Sequence, residues 1–375
     1  MSRSRIVLLG CLFWFSSQLL YGQANNKVDV LSKDQLEFLE QLTIAVLEES
    51  SIHPGQFISE VFGANNSGGL LIRPGGRNAY PSFWIRDYAM ALETDLVSLE
   101  AQKHMLLLTA KSQANQSWIT TGGSMVPVGS IADHIRIDDG LPIYFPGTYS
   151  YADQGTERWG SLPPYGDQFM FVHMAHYYAK SKGETGILSE EINGMKLIDR
   201  LTLAFHVPPS VLDNHLVYAS DRFRGVDFGF RDAIELTGEL LYPSLLKFRS
   251  AMQLSELFEL LDRSEQSEKY KEIAITIKKN IPSVFKDESG FLKASTILSA
   301  QPDVWGTSLA IYLGVLEGEA LSSASKVLSN AYKKGTISYR GNIRHVPTDH
   351  DFGKNLWQPK TPIRTAPIGE PLLLG

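Results

Sequence analysis

Four times along the chain an aspartate stands among aromatic, proline or glycine residues where a helical pattern begins. The four stretches are Pro81-Ser82-Phe83-Trp84-Ile85-Arg86-Asp87, Pro164-Tyr165-Gly166-Asp167, Phe228-Gly229-Phe230-Arg231-Asp232 and Gln301-Pro302-Asp303-Val304-Trp305. Their aspartates lie about 65 to 80 residues apart, too far for a small solenoid repeat but enough for a helical hairpin and an excursion loop. Stacked hairpins closing into a ring account for such a period. An aspartate at a helix start also serves as a cap, which is the simpler explanation of any one of the four. If the inner helices of the ring all point the same way, these starts converge on one face, where free N–H groups and carboxylates line a cleft.

The rest of the chain agrees with a helical reading. Ser32 with Gln35 forms a capping box, Leu31 is placed to staple onto Leu36, and Leu36, Leu39, Thr43, Val46 and Leu47 follow helical spacing. Further helices are expected over approximately 87–112, 167–182, 233–262, 267–281, 303–316 and 319–333. Pro243 is expected to break the fourth near Tyr242 and to occupy the first position of a new helix. Strand-like alternation is confined to short pieces such as Leu216 to Ala219 and Phe291 to Ala294. The expected class is therefore all-α, a ring of helical hairpins with long decorated loops.

A chain of 375 residues, 43% of them hydrophobic, holds enough apolar material for one large core or two modest ones. The net charge of -6, with no Lys/Arg stripe, argues against nucleic acid as a partner. Arg3 and Arg5, the apolar run from Ile6 to Leu20 and the small residues of Gly22-Gln23-Ala24 read as a cleavable export signal over residues 1–24, followed by a single domain over 25–375. A membrane anchor is disfavoured by Ser16-Ser17-Gln18, and a lipoprotein signal at Leu8-Leu9-Gly10-Cys11 by its short apolar segment. The expected location is secreted or periplasmic. Cys11 is the only cysteine, so cleavage after Ala24 leaves none for disulfides or thiolate chemistry.

Phe83-Trp84-Ile85-Arg86-Asp87 resembles the Trp-x-Arg-Asp segment of glucoamylase-like and debranching six-hairpin (α/α)6 glycosidases. The resemblance implies that Arg86 and Asp87 grip the sugar at the cleaved bond. Val226-Asp227-Phe228-Gly229-Phe230-Arg231 is similar to the Trp-Asp-Phe-x-x-Arg segment of trehalases, and Leu236 to Leu241 with Tyr242 extends the likeness; there the aspartate is the general acid, which implies that role for Asp227. The likeness covers about residues 80 to 335. Val226 departs from it, standing where trehalases have Trp. So does the C-terminus: about eight to ten helices can be counted where six hairpins need twelve, so either the chain is truncated or the ring is open.

The residues themselves leave choices. A general acid must hold its proton near neutral pH, which apolar neighbours promote. Asp227, between Val226 and Phe228, suits this best, with Asp232 or Glu235 as alternatives and a structural role for all three as another. Arg86 and Asp87 bind sugar hydroxyls or form a buried pair. Asp303 and Trp305 form a cap with core packing or a wall of the cleft; Asp167 and Arg231 stand at equivalent helix starts. An inverting enzyme also needs a base about 6.5 to 9.5 Å from its acid, and Asp349 and Asp351 are the only late carboxylates in suitable loops. In the long loop from Asp133 to Trp159, Tyr149 and Trp159 suit stacking on pyranose rings. No metal or other cofactor is expected. Asp138-Asp139 lacks an EF-hand pattern, and His173 with His176 lacks a third ligand. Phosphate-binding, dinucleotide, zinc-protease and serine-hydrolase motifs are absent.

These observations lead to an inverting, exo-acting glycoside hydrolase with a carbohydrate substrate. The alternatives are a carbohydrate-binding toroid without a base and a polysaccharide lyase on the same kind of ring, against which the acidic balance weighs.

Overall fold

Nine α-helices lie among the residues described by the computed structural model, which are 31–59, 62–74, 80–156, 160–220 and 236–350. The expected signal, Trp159, Asp227, Arg231, Asp232, Glu235 and Asp351 fall outside them. The chain divides into two units, residues 1–46 and 47–375. The first helix, α1 (Lys33–Ser50), starts at the capping box: Ser32 N–H donates to Gln35 Oε1 at 2.8 Å and Gln35 N–H to Ser32 Oγ at 3.2 Å.

In the second unit, helices alternate between two layers. The inner ones are α2 (Ile85–Ala91), α4 (Tyr165–His176), α6 (Leu241–Glu259) and α8 (Val304–Tyr312), each packed on the next; α3 (Leu99–Lys111), α5 (Leu197–Phe205), α7 (Ser264–Val284) and α9 (Gly318–Lys334) stand behind them. Sequence explains the assignment. Every residue of α4 from Tyr165 to Ala175 is buried, so this helix is enclosed on all sides, mostly by apolar residues, and its polar Asp167, Gln168 and His173 are each matched by a partner. By contrast α7 buries Tyr270, Ile273, Ala274, Ile277 and Ile281, a stripe at spacings of three and four that faces α6, and leaves its charges in water. Burying one such large apolar side chain contributes about 1.5 to 3 kcal/mol.

Two polar links fix the direction of the inner helices. At their starts, Arg86 of α2 lies 3.9 Å from Asp167 of α4. Beyond the ends of α2 and α4, Tyr177 O–H donates to Asp95 at 3.0 Å, and Glu93 Oε1, after α2, lies 3.7 Å from His173 Nε2 in the last turn of α4 and 3.6 Å from Arg249 in the middle of α6. Joined start to start and end to end, α2 and α4 run parallel, and their starts share one face. Of the four aspartates of the recurrence, Asp232 lies outside the described residues.

Three expectations require correction. The helix expected over 87–112 is two: Asp95 adopts a left-handed φ of 61°, ending the turn after α2, and Ser98 opens α3 by accepting from Ala101 N–H. Pro243 is the third residue of α6, not the first; its missing N–H still falls in the opening turn, where no intrahelical acceptor exists. Helix α5 was not foreseen, although Leu197, Ile198, Leu201, Ala204 and Phe205 form its buried stripe.

Candidate active site

The strand Ser82–Trp84 leads directly into α2 and pairs antiparallel with His134–Arg136, in a register that sets Trp84 opposite His134. Directly opposed side chains in such a pair touch. The indole and imidazole rings stack with centroids 4.4 Å apart and planes 18° from parallel. Tyr149 closes the group edge-on, 5.9 Å from Trp84 and 5.5 Å from His134. Its loop is held by Arg136, which donates to Tyr149 O at 3.3 Å and, through two nitrogens, to Asp138. That hydrogen bonding keeps the Asp138 carboxyl below its ordinary range. With Asp139 also 3.2 Å from Arg136, this acidic pair is already neutralised by a guanidinium.

One residue after the strand pair, the first turn of α2 places Arg86 against two carboxylates. Its Nη2 donates to Asp133 Oδ1 at 3.4 Å, and its Nε lies 3.9 Å from Asp167 Oδ1. Arg86, Asp133 and Asp167 are 4%, 1% and 0% exposed, so this pairing is shielded from water and salt. Asp133 Oδ2 lies 2.8 Å from His134 Nδ1, and His134 Nε2 lies 3.0 Å from Thr148 O. Both ring nitrogens thus face oxygen atoms. These contacts form a buried chain running from α4 through α2 to the loop at Thr148.

Asp87, next to Arg86, is half-buried. Burial pushes its pKa up to about 6, and Asp133 adds to the rise, while Arg86 opposes it. Arg86 and Asp87 therefore have different surroundings: the guanidinium sits in the buried cluster, and the carboxyl beside it is the less enclosed group. Asp133 and His134 belong to this cluster but were missed from sequence, since nothing in the chain marks a residue 47 positions away as the partner of Arg86.

Asp87 and Asp167 lie in first turns without capping them, whereas Asp303 is the N-cap of α8, accepting from Gly306 N–H at 2.8 Å. Asp303 is fully buried, and that burial pushes its pKa up to about 7. Trp305 donates to Ile343 O at 3.3 Å and, with Tyr339 and His345, borders a cavity of about 620 Å³. Before α6, Glu239 accepts from Thr296 Oγ1 at 2.5 Å, a carboxylate at a helix start that the sequence reading passed over. His173 bonds Gln253 at 2.8 Å and His176 bonds Glu256 at 2.8 Å, so both histidines tie α4 to α6. Among the described residues no group of His, Cys, Asp or Glu is arranged to hold a metal ion, and no helix is long and apolar enough to cross a membrane.

The sequence matches no protein-family model and no curated protein. Among solved structures, a rhamnosidase from Klebsiella oxytoca with rhamnose bound superposes on 80% of this chain and 48% of its own, with 11% identity and a TM-score of 0.52. A GH63 mannosylglycerate hydrolase from Thermus thermophilus, in complex with glucose, superposes on 84% of this chain and 81% of its own, with 12% identity and a TM-score of 0.50. The chain spans about half the length of that rhamnosidase. At these identities the likeness is one of fold. The chain is all-α, with the (α/α)6 toroid arrangement of helical hairpins.

Proposed function

We propose that this chain is an exported glycoside hydrolase, inverting and exo-acting, that cleaves terminal sugars from an oligo- or polysaccharide outside the cytoplasm. The observation that carries the reading is the buried Arg86–Asp133–Asp167 cluster beside the Trp84–His134–Tyr149 rings, at the starts of α2 and α4. A half-buried carboxyl, Asp87, held next to a half-buried aromatic face suits a pyranose, which offers an apolar ring face and a rim of hydroxyls. Asp87 meets the sugar hydroxyls, and Arg86, tied to Asp133 and Asp167, holds the turn that presents it. Asp227 protonates the leaving oxygen, while a carboxylate on the opposite side activates water for attack at the anomeric carbon. The glycosidic C–O bond breaks as the water oxygen bonds to that carbon, and the water proton passes to the base.

The test is hydrolysis of a panel of aryl glycosides and oligosaccharides by the chain from Asn25, with Asp227→Asn as control. A loss of several orders of magnitude in the variant supports both the activity and the acid. Absence of cleavage, with saturable binding that weakens on Arg86→Ala, sinks the hydrolase reading and leaves a carbohydrate-binding toroid.

A further inference from the structure

On the other side of the Tyr149 loop lies a second concave site. Where Tyr149 turns toward Trp84, Tyr151 turns away and stacks on Trp118, centroids 5.6 Å apart and planes 25° from parallel. Tyr144 meets the same indole edge-on at 6.2 Å. These three rings, with the C-terminal end of α3, enclose a cavity of about 540 Å³, within the range of about 300 to 1,000 Å³ common for small-molecule sites.

The walls are built in advance of any ligand. Gln154, fully buried, accepts from Tyr144 N–H at 2.6 Å and donates to Tyr151 O at 2.9 Å, clamping the two tyrosine backbones together. Tyr144 O–H is fixed on Ser112 O at 2.8 Å, just beyond the last residue of α3. Around this rigid floor, the side chains of Lys111, Asn115 and Gln116 and the indole N–H of Trp118 make no hydrogen bond to any group among the described residues. Aromatic faces are thus joined to a rim of uncommitted donors and acceptors.

We infer that this cavity is a second carbohydrate site, taking one or two neutral pyranose units stacked against Trp118 and Tyr151. Among the described residues that line the cavity there is one lysine and no arginine, which does not make a phosphate cradle, and no carboxylate to hold an amine. A sugar uses both parts of the site, its apolar face on the rings and its hydroxyls on Asn115, Gln116 and the carbonyls at the end of α3. The inference goes beyond the hydrolase reading, because binding here requires no bond to be cut.

The experiment is calorimetric titration of the full chain with maltoheptaose, cellohexaose, xylohexaose and mannohexaose, in the wild type and in Trp118→Ala and Tyr151→Ala. Tyr151 is 40% exposed on a loop, so its truncation leaves folding intact and stands in for Trp118→Ala if that variant unfolds. The expected result is saturable binding of at least one oligosaccharide, weakened roughly tenfold or more in both variants, equivalent to about 1.4 kcal/mol, with aryl-glycoside cleavage unchanged. Binding of equal affinity and stoichiometry in wild type and variants overturns the inference, as does no binding of any oligosaccharide. Loss of cleavage activity across the panel with titratable binding intact defeats the hydrolase reading alone.

Discussion

Tyr312 O–H donates to Glu93 Oε2 at 2.8 Å, joining the end of α8 to the turn after α2 across 219 positions of sequence. The other Glu93 oxygen faces Arg249 of α6 and His173 of α4, so one carboxylate meets three inner helices besides the turn that bears it. Tyr312→Phe removes a solvent-accessible hydrogen bond and is expected to cost about 0.5 to 1.5 kcal/mol. Glu93→Gln should cost more, since the largely buried Arg249 then loses its counter-charge. Urea unfolding of both single variants and the double variant measures the coupling; strict additivity would show that the two side chains do not act together.

Asp133 accepts on both oxygens, from Arg86 on one side and His134 on the other. Asp133→Asn keeps the volume but turns an N–H₂ group toward one of these donors and withdraws the negative charge from both. The predicted loss is about 3 to 5 kcal/mol, the scale for breaking a buried ion pair from one side. Thermal and urea unfolding test it, and a variant as stable as wild type would remove the cluster from the stability of the α2–α4 contact.

Asp303 links stability to pH. Its carboxyl titrates near 3.8 when unfolded and near 7 when folded, raised by burial. Between those values the native chain holds a proton that the unfolded chain has released, so this contribution is fully present below the unfolded value and lost as pH rises through the folded one. The full loss is on the order of 4 kcal/mol, at 1.36 kcal/mol per pKa unit. Asp303→Asn retains an oxygen for Gly306 N–H and should flatten the fall in unfolding free energy between about pH 4 and 8. An unchanged slope in the variant would assign the pH dependence elsewhere.

Asp87, pushed up to about 6 by burial, changes from hydrogen-bond donor to charged acceptor near that pH. If it meets the sugar, kcat/KM or oligosaccharide affinity carries a limb with a midpoint near pH 6. Asp87→Asn should abolish that limb and weaken binding by about tenfold, the scale of one hydrogen bond involving a charged group. A limb that persists unchanged in the variant excludes Asp87 as its origin.

Gly238 stands at φ +87° in the strand before α6, and a Cβ added there overlaps Thr296 Oγ1. The neighbouring Glu239 uses that same hydroxyl twice, through its N–H at 2.9 Å and its carboxylate at 2.5 Å. Gly238→Ala is expected to destabilise by about 1 to 3 kcal/mol from the backbone strain alone, with a further cost from the contact. Thr296→Ala in that background should recover only the contact part, and full recovery would show that the left-handed backbone carries no strain.

Much of the helical skeleton was legible in the residues. Ser32 and Gln35 marked the first helix start, a helix was expected over 267–281 where α7 lies, and the recurrence around Asp87, Asp167 and Asp303 marked three inner-helix starts, because capping, periodicity and short-range turn chemistry act over a few residues. What each aspartate does was not legible there. Asp303 is a buried cap, Asp167 a partner of Arg86, and Asp87 a half-buried acid, although all three sit in similar local sequence. Burial and neighbours determine charge state, and they are set by which helices lie side by side. Likewise the stacking of Trp84 on His134 follows from the register of two strands about 50 residues apart. The sequence by itself thus determined most of the helical elements and where several of them begin, through local interactions. Only the tertiary structure decided which carboxylate pairs, which caps and which remains half-open, because those outcomes depend on desolvation and contacts between distant segments.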